Sequence, residues 1–518
     1  MGADLNKIEA FVKNAWSWEE GGKSAVIEAL SEYIKIPNDS PAFDPEWAEH
    51  GFMDRAVDFL VESIDKLKAQ WGRQGCNIDG IVVEAFGSWE KPEYDDYGNR
   101  RTPLIYINIP AFGPAAPDST VLLYGHLDKQ PQTLPWDKGL GPRVPVIRDD
   151  KLYGRGGADD GYAIFSAFTA VMALRAQNAA HARCVIIVEA CEESGSRDLP
   201  YYIQELKKRI SPVSLIICLD SGSGSYDRLW ITSSLRGVII AWLKVGVMNE
   251  GVHSGFSSGI VPSGFRIARR LLSRLEDEAT GEIKPSWLKV KIPAAVRRQA
   301  RKTAKVLGRG VFSEFPFVND KVRPVTGNIV ELLLNRTWRP QLTVTGIQGM
   351  PHTPQTAGNV MLPFINLRLS LRLPPTLNAE EAAARVDKEL TAGPPYNAVI
   401  EVSDIDCGSG WAAVEPAPWL EAAGKEASRR FFKDPDGKSM EAMYMGEGGS
   451  IPFMCLLSKQ FPETQFLITG VLGPHSNAHG PNEFLHLPYA QKLTMCVSGV
   501  IASHCETVRN NIERERKA

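Results

Sequence analysis

The sequence predicts an α/β protein: a catalytic domain with a mostly parallel sheet flanked by helices, interrupted by an inserted α+β module. Three observations lead there. Short β-branched runs alternate with helix-period segments up to about residue 219, the pattern changes near Leu235-Arg236-Gly237 to longer strand-like runs, and the opening pattern returns after about residue 405. Strands that alternate with helices favour a buried parallel sheet, because each crossover helix packs back onto it.

The elements follow in order. Within 22–72, Ala25, Ile27, Leu30 and Ile34 recur near the helical period, and the stretch from Trp47 to Trp71 repeats the pattern. Strand-like runs follow at 81–83, 104–107 and 121–124, then a helix over 161–176, a strand over 184–190, a helix over 198–208 and a strand over 213–219. The module carries strands at 238–247, 342–347 and 364–373 and a helix at 263–276. A helix at 417–432, a strand at 465–468 and a closing helix at 488–513 complete the chain. The expected division is 1–235 and 406–518 as one discontinuous catalytic domain, with 236–405 as the inserted one.

Bulk properties exclude several classes. The 518 residues suffice for two or three domains, and 43% apolar with 23% charged residues is ordinary globular composition. A net charge of −3 creates no global field for nucleic acid or an anionic membrane. No run approaches the roughly 20 apolar residues of a membrane span. The polar start Met1-Gly2-Ala3-Asp4-Leu5-Asn6-Lys7 lacks a leader's apolar core. The eight cysteines form no C-x-x-C pair and sit in apolar contexts, as reduced thiols of a cytoplasmic protein do. The stretch 284–309 carries nine Lys or Arg with little aromatic interleaving, and is expected to be a solvated helical excursion on the inserted module.

Five motifs carry chemistry. The run Leu122-Leu123-Tyr124-Gly125-His126-Leu127-Asp128 ends a buried strand in His-x-Asp, with both side chains on one side. Ligands of an open α/β sheet gather beyond the carboxyl ends of its strands. The Gly-rich turn Tyr153 to Gly161 holds Asp159-Asp160, and two adjacent carboxylates suit a cation and repel a phosphate. Glu192-Glu193 and Asp220 follow further apolar strands, and His479 lies in the loop Asn477 to Glu483. Each motif alone is also compatible with a hydrogen-bonded turn or a cap. Together they supply two imidazoles and three carboxylates, with Asp128 and Glu192 to spare, as a two-metal hydrolytic centre requires.

The motifs Gly125-His126-Leu127-Asp128, Gly154-Arg155-Gly156 with Asp159-Asp160, Glu192-Glu193-Ser194-Gly195, Gly446 to Pro452 and His479-x-x-Asn482-Glu483 resemble those of the carnosinase and cytosolic non-specific dipeptidase family. Its wider relatives include aminoacylases, glutamate carboxypeptidase and succinyl-diaminopimelate desuccinylase. The resemblance implies metal ligands His126 with Glu193, and Asp220 with His479, bridged by Asp159. It implies Glu192 as general base, Asp128 behind His126, and a cis bond between Asp159 and Asp160. It also implies a lid and dimerisation role for the inserted module. There His253 would act in the partner's site on the oxyanion, and Arg372, Asn359 and Glu447 would contact substrate. Arg368 competes with Arg372, and His475 with His479.

The expected activity is hydrolysis of an amide bond, most simply in a dipeptide, by a homodimer holding two divalent ions per chain. Zinc leads by affinity, with manganese or cobalt as alternatives. Asp at position 220 is, in the resembling family, the dipeptidase choice. A deacylase acting on an N-acyl amino acid is the alternative. Two departures from the family pattern stand out. Gly161-Tyr162 follows Asp160 where the family usually has Lys, which concerns the local helix start. Pro416-Ala417-Pro418-Trp419 lacks a His that close dipeptidases often carry, which bears on how the substrate's amino end is recognised.

Overall fold

The computed structural model describes residues 3–18, 22–113, 118–351, 353–413 and 415–515, so Met1 and Gly2 of the polar start lie outside the described residues. In chain order the first elements are helices α1 (Leu5–Ala15), α2 (Ala25–Ile34) and α3 (Phe52–Arg73), then strands β1 (Val82–Phe86), β2 (Leu104–Ile109) and β3 (Thr120–His126). Next come α4 (Tyr162–Arg175), β4 (Arg183–Glu189), α5 (Leu199–Ile210), β5 (Val213–Cys218) and β6 (Trp230–Leu235). Then follow β7 (Gly237–Gly246), α6 (Gly264–Leu275), α7 (Ala294–Leu307), α8 (Ile329–Thr337), β8 (Gln341–Gln348), β9 (Phe364–Leu373), α9 (Ala379–Thr391) and β10 (Val399–Gly408). The chain closes with α10 (Pro418–Phe431), β11 (Met443–Glu447), α11 (Pro452–Gln460), β12 (Gln465–Ile468) and α12 (Leu487–Glu515).

The main sheet runs β1-β2-β4-β3-β5-β12. Strands β4, β3, β5 and β12 are mutually parallel, whereas β2 pairs antiparallel with both β1 and β4. Every residue of β3 is buried, as the uninterrupted apolar run requires of a strand covered on both faces. Its odd positions, Val121 and Leu123, face a core built with α1 to α4, α10 and α12; Leu122 and Tyr124 face α5 and α11. Truncating Leu123 to Ala would leave a cavity at the centre of that larger core and cost about 2–5 kcal/mol. Helix α4 is buried on every side, including Ser166 and Thr169, which explains a segment with no polar face. Ser166 Oγ meets Thr494 Oγ1 of α12 at 2.8 Å, which satisfies the buried Ser166 hydroxyl.

A second sheet, β8-β9-β7-β10, is antiparallel throughout. Its central strands β7 and β9 alternate buried with less buried residues, and Leu243, Leu367 and Leu371 pack against Ile267 and Leu271 of α6 and Val386 and Leu390 of α9. The basic stretch forms the expected helix, mostly exposed, but it packs away from this sheet. Helix α7 packs with α8 over β6 and β11, sharing a core with Trp230, Leu333, Leu334, Trp338 and Met445. Thr303 donates to Tyr444 O at 3.1 Å, and Gln299 donates to Ser233 Oγ at 2.7 Å. The basic charge of this stretch gave no sign of which sheet the helix would cover.

Candidate metal centre

The parallel strands all point one way, so the segments leaving β3, β4 and β5 meet at one edge. His126 ends β3, Asp220 lies two residues beyond β5, and Glu192 and Glu193 form the short turn 192–194 just past β4. Asp159 stands in the tight turn 157–161 that opens α4, and the Asp159–Asp160 peptide is cis, as the motif resemblance implied. His479 arrives on a distant loop.

These five side chains converge. His126 Nε2 lies 3.3 Å from Asp159 Oδ1 and 3.9 Å from Asp220 Oδ1. His479 Nε2 lies 3.0 Å from the other Asp159 oxygen and 3.3 Å from Glu193 Oε1. Two trios result, His126–Asp159–Asp220 and Asp159–Glu193–His479, with the donor atoms of each within 4.8 Å of one another. The expected pairing is thereby corrected. His126 goes with Asp220 because β3 and β5 are direct neighbours, while Glu193, on a turn beyond β4, reaches outward to His479.

The donor set fits divalent cations. Burial, then the nearby Asp159 and Glu193 carboxylates, pushes the Asp220 carboxyl up to about 7. Partial burial disfavours a charged imidazole, yet Asp159 and Glu193 pull the half-exposed His479 up to about 11. His126 is likewise raised against the cost of its burial, by Asp128 and Asp159. Crowding of buried carboxylates raises the proton affinity of these groups, and a divalent cation would relieve the same repulsion.

The supporting shell orders both trios. His126 Nδ1 donates to the backbone O of Asp128 at 3.1 Å, which turns Nε2 toward Asp159 and Asp220. The Asp128 carboxylate accepts the Glu192 and Glu193 N–H groups, each at 3.0 Å. Asp160 Oδ2 accepts the His126 N–H at 3.2 Å. Asn38 donates to Leu127 O at 2.6 Å, and buried Lys129 donates to Tyr33 O and Ile36 O, clamping the end of α2 beneath the strand end. Sequence reasoning missed Gln130, which donates to Glu193 Oε2 at 2.6 Å. Its place two residues after Asp128 was the available signal. Burial, then Asp220 and Glu193, raises the Glu192 carboxyl well above the usual range.

The outer candidates divide. Glu447 ends β11 with its carboxylate against Gly222, where a Cβ would come within 2.9 Å of Oε1. Arg372 donates to Ser450 in the same Gly-rich loop at 3.1 Å, whereas Arg368 is exposed a turn of the pleat away. His475 is exposed and belongs to neither trio. His253 and Asn359 sit together at an exposed two-stranded ribbon, where Ser254 N donates to Asn359 O. His253 Nδ1 accepts only the Gly255 N–H, so within one chain neither residue is hydrogen-bonded to the five-residue cluster.

A sequence model of Peptidase family M20/M25/M40 matches residues 122–503, a span that contains all five converging side chains. The chain belongs to this family. Among curated M20 relatives, the cysteinylglycine-S-conjugate dipeptidase of Corynebacterium striatum is 26% identical over 388 residues, 73% of this chain and 81% of that protein. The human Beta-Ala-His dipeptidase is 25% identical, over 74% of this chain and 71% of its own. The Cys-Gly metallodipeptidase of Schizosaccharomyces pombe is 23% identical, over 90% and 92%. Among solved structures, human carnosine dipeptidase 1 superposes with a TM-score of 0.74 at 20% identity, covering 98% of this chain and 100% of that one. A dipeptidase from Saccharomyces cerevisiae gives 0.73 at 20% identity, covering 98% and 99%. The fold is thus that of the M20 dipeptidases.

Proposed function

We propose that this M20 protein is a two-metal dipeptidase. The observation that carries the reading is Asp159, whose two carboxylate oxygens face different imidazoles, His126 at 3.3 Å and His479 at 3.0 Å. Cations held by His126 with Asp220 and by Glu193 with His479, Asp159 serving both, would polarise the scissile carbonyl and acidify a water. Zinc is the proposed metal, with manganese or cobalt as alternatives.

The remaining work falls to this chain's own groups. The Glu192 carboxylate takes the proton from the attacking water and passes it to the leaving amine, and its burial gives it the proton affinity for both steps. Asp128 keeps Glu192 and Glu193 at the strand end through their backbone N–H groups. Arg372, with Ser450 beside it, receives the substrate carboxylate. Glu447, against Gly222, receives the amine. Asn359 contacts the substrate backbone.

His253 is proposed to serve the partner's site in a homodimer formed through the 236–405 module. Support comes from the exposure of its ribbon, together with exposed Phe256 and Ile260 beside it. No helix among the described residues is long and apolar enough to cross a membrane. A reducing, cytoplasmic setting is proposed, supported by eight free thiols.

The test is a panel of dipeptides against N-acetylated dipeptides and N-acyl amino acids, run with zinc, manganese and cobalt. Preference for free-amine dipeptides is expected. Turnover of N-acyl amino acids alone would replace the dipeptidase reading with a deacylase.

A further inference from the structure

Arg155 and Glu483 form an ion pair sealed inside the protein, their side chains 3% and 0% exposed. The pair joins two segments that each supply a side chain to one trio: Asp159 follows Arg155 by four residues, and His479 precedes Glu483 by four. The Glu483 carboxylate accepts from the Arg155 guanidinium and, at 2.9 Å, from the Gly156 N–H. The other arm of the guanidinium donates to Gly480 O at 2.9 Å and to Thr133 Oγ1 at 2.8 Å. Thr133 in turn donates to the backbone O of His479 at 2.6 Å. One buried cation therefore grips the His479 loop directly at Gly480 and Glu483, and through Thr133 at His479.

That loop needs holding. His475, Asn477, His479 and Asn482 all adopt left-handed backbone angles, with φ between 53° and 66°, which a free loop of L-residues disfavours. The His479 side chain is 54% exposed, so no surrounding core places it. Asp159 is anchored differently: Asp160 binds the His126 N–H at 3.2 Å, and Tyr162 donates to Leu219 O. Losing the pair should release His479 more than Asp159.

We propose that the Arg155–Glu483 pair is a positioning device that sets the reach of His479, and with it the affinity of the Asp159–Glu193–His479 trio, independently of the His126–Asp220 side. This rests on the two-cation reading above.

The test strips the full-length protein of metal and titrates it with Co2+, reading visible absorption and the ions retained after desalting. Glu483→Gln is expected to take its first ion as the parent does and its second about 10–100-fold more weakly, the usual effect of losing a group that orients a ligand. A lone buried charge can unfold a variant, so Arg155→Met/Glu483→Leu, which removes both charges, accompanies it. The double variant is expected to melt near the parent and still bind the second ion weakly. Parent-like binding of both ions by Glu483→Gln, or recovery of second-ion affinity in the double variant, overturns the proposal. Equal weakening of both ions also overturns it. A parent chain that binds fewer than two ions overturns the two-cation reading with it.

Discussion

Asp128 holds Glu192 by its backbone: the Asp128 carboxylate accepts the Glu192 N–H at 3.0 Å while its other oxygen accepts the Glu193 N–H. The same carboxylate lies 3.4 Å from His126 Nδ1, so one buried acid orients the His126 imidazole and the turn that carries both glutamates.

Asp128→Asn replaces one acceptor oxygen with a donor that faces an N–H group. The variant is expected to fold, to bind metal more weakly, and to lose about 10–100-fold in kcat. Metal content and kcat measured on the same preparation check this; parent values for both would remove Asp128 from the arrangement.

Glu192 is assigned the proton transfers, and it belongs to neither trio. Glu192→Gln should keep two ions per chain while kcat falls by about 10²–10⁴. Turnover near the parent level, with metal retained, would reassign the base.

Proton linkage sets the pH dependence of the metal-free chain. The folded state holds Asp220 up to about 7 and His479 up to about 11, so in both cases it binds protons that the unfolded chain releases earlier. Such stability is fully present below the ordinary pKa of each group and is lost as pH rises through the folded one. The melting temperature of metal-free protein should therefore fall between pH 6 and pH 9. Because cations displace the same protons, Co2+ should bind more tightly at pH 8 than at pH 6. Metal affinity that falls with rising pH would contradict the protonated imidazoles.

His253 offers a complementation experiment. His253→Ala and Glu192→Gln are each expected to be nearly inactive. Mixed and allowed to exchange subunits, they should recover activity, because a heterodimer then joins an intact Glu192 site to an intact His253. No recovery, with exchange verified by mass, would place His253 in its own chain's site or outside the reaction.

The converging side chains could be picked out in the sequence as candidates because His126, Glu193 and Asp220 each follow an apolar strand run, and Asp159 and His479 sit in turns rich in Gly and Asn. Arg155 and Glu483 were visible as motif members, but nothing local indicated that they meet. Their separation of 328 residues hides a contact that only the closed fold creates.

The sequence by itself determined which side chains reach the strand edge, since burial period and turn chemistry are local properties. Tertiary structure decided which candidate ligand lies beside which, and that the basic α7 covers β6 and β11. Strand order in a parallel sheet is set by crossovers that fold back, so β3 lies between β4 and β5 although it precedes both, and no local pattern encodes that neighbour relation.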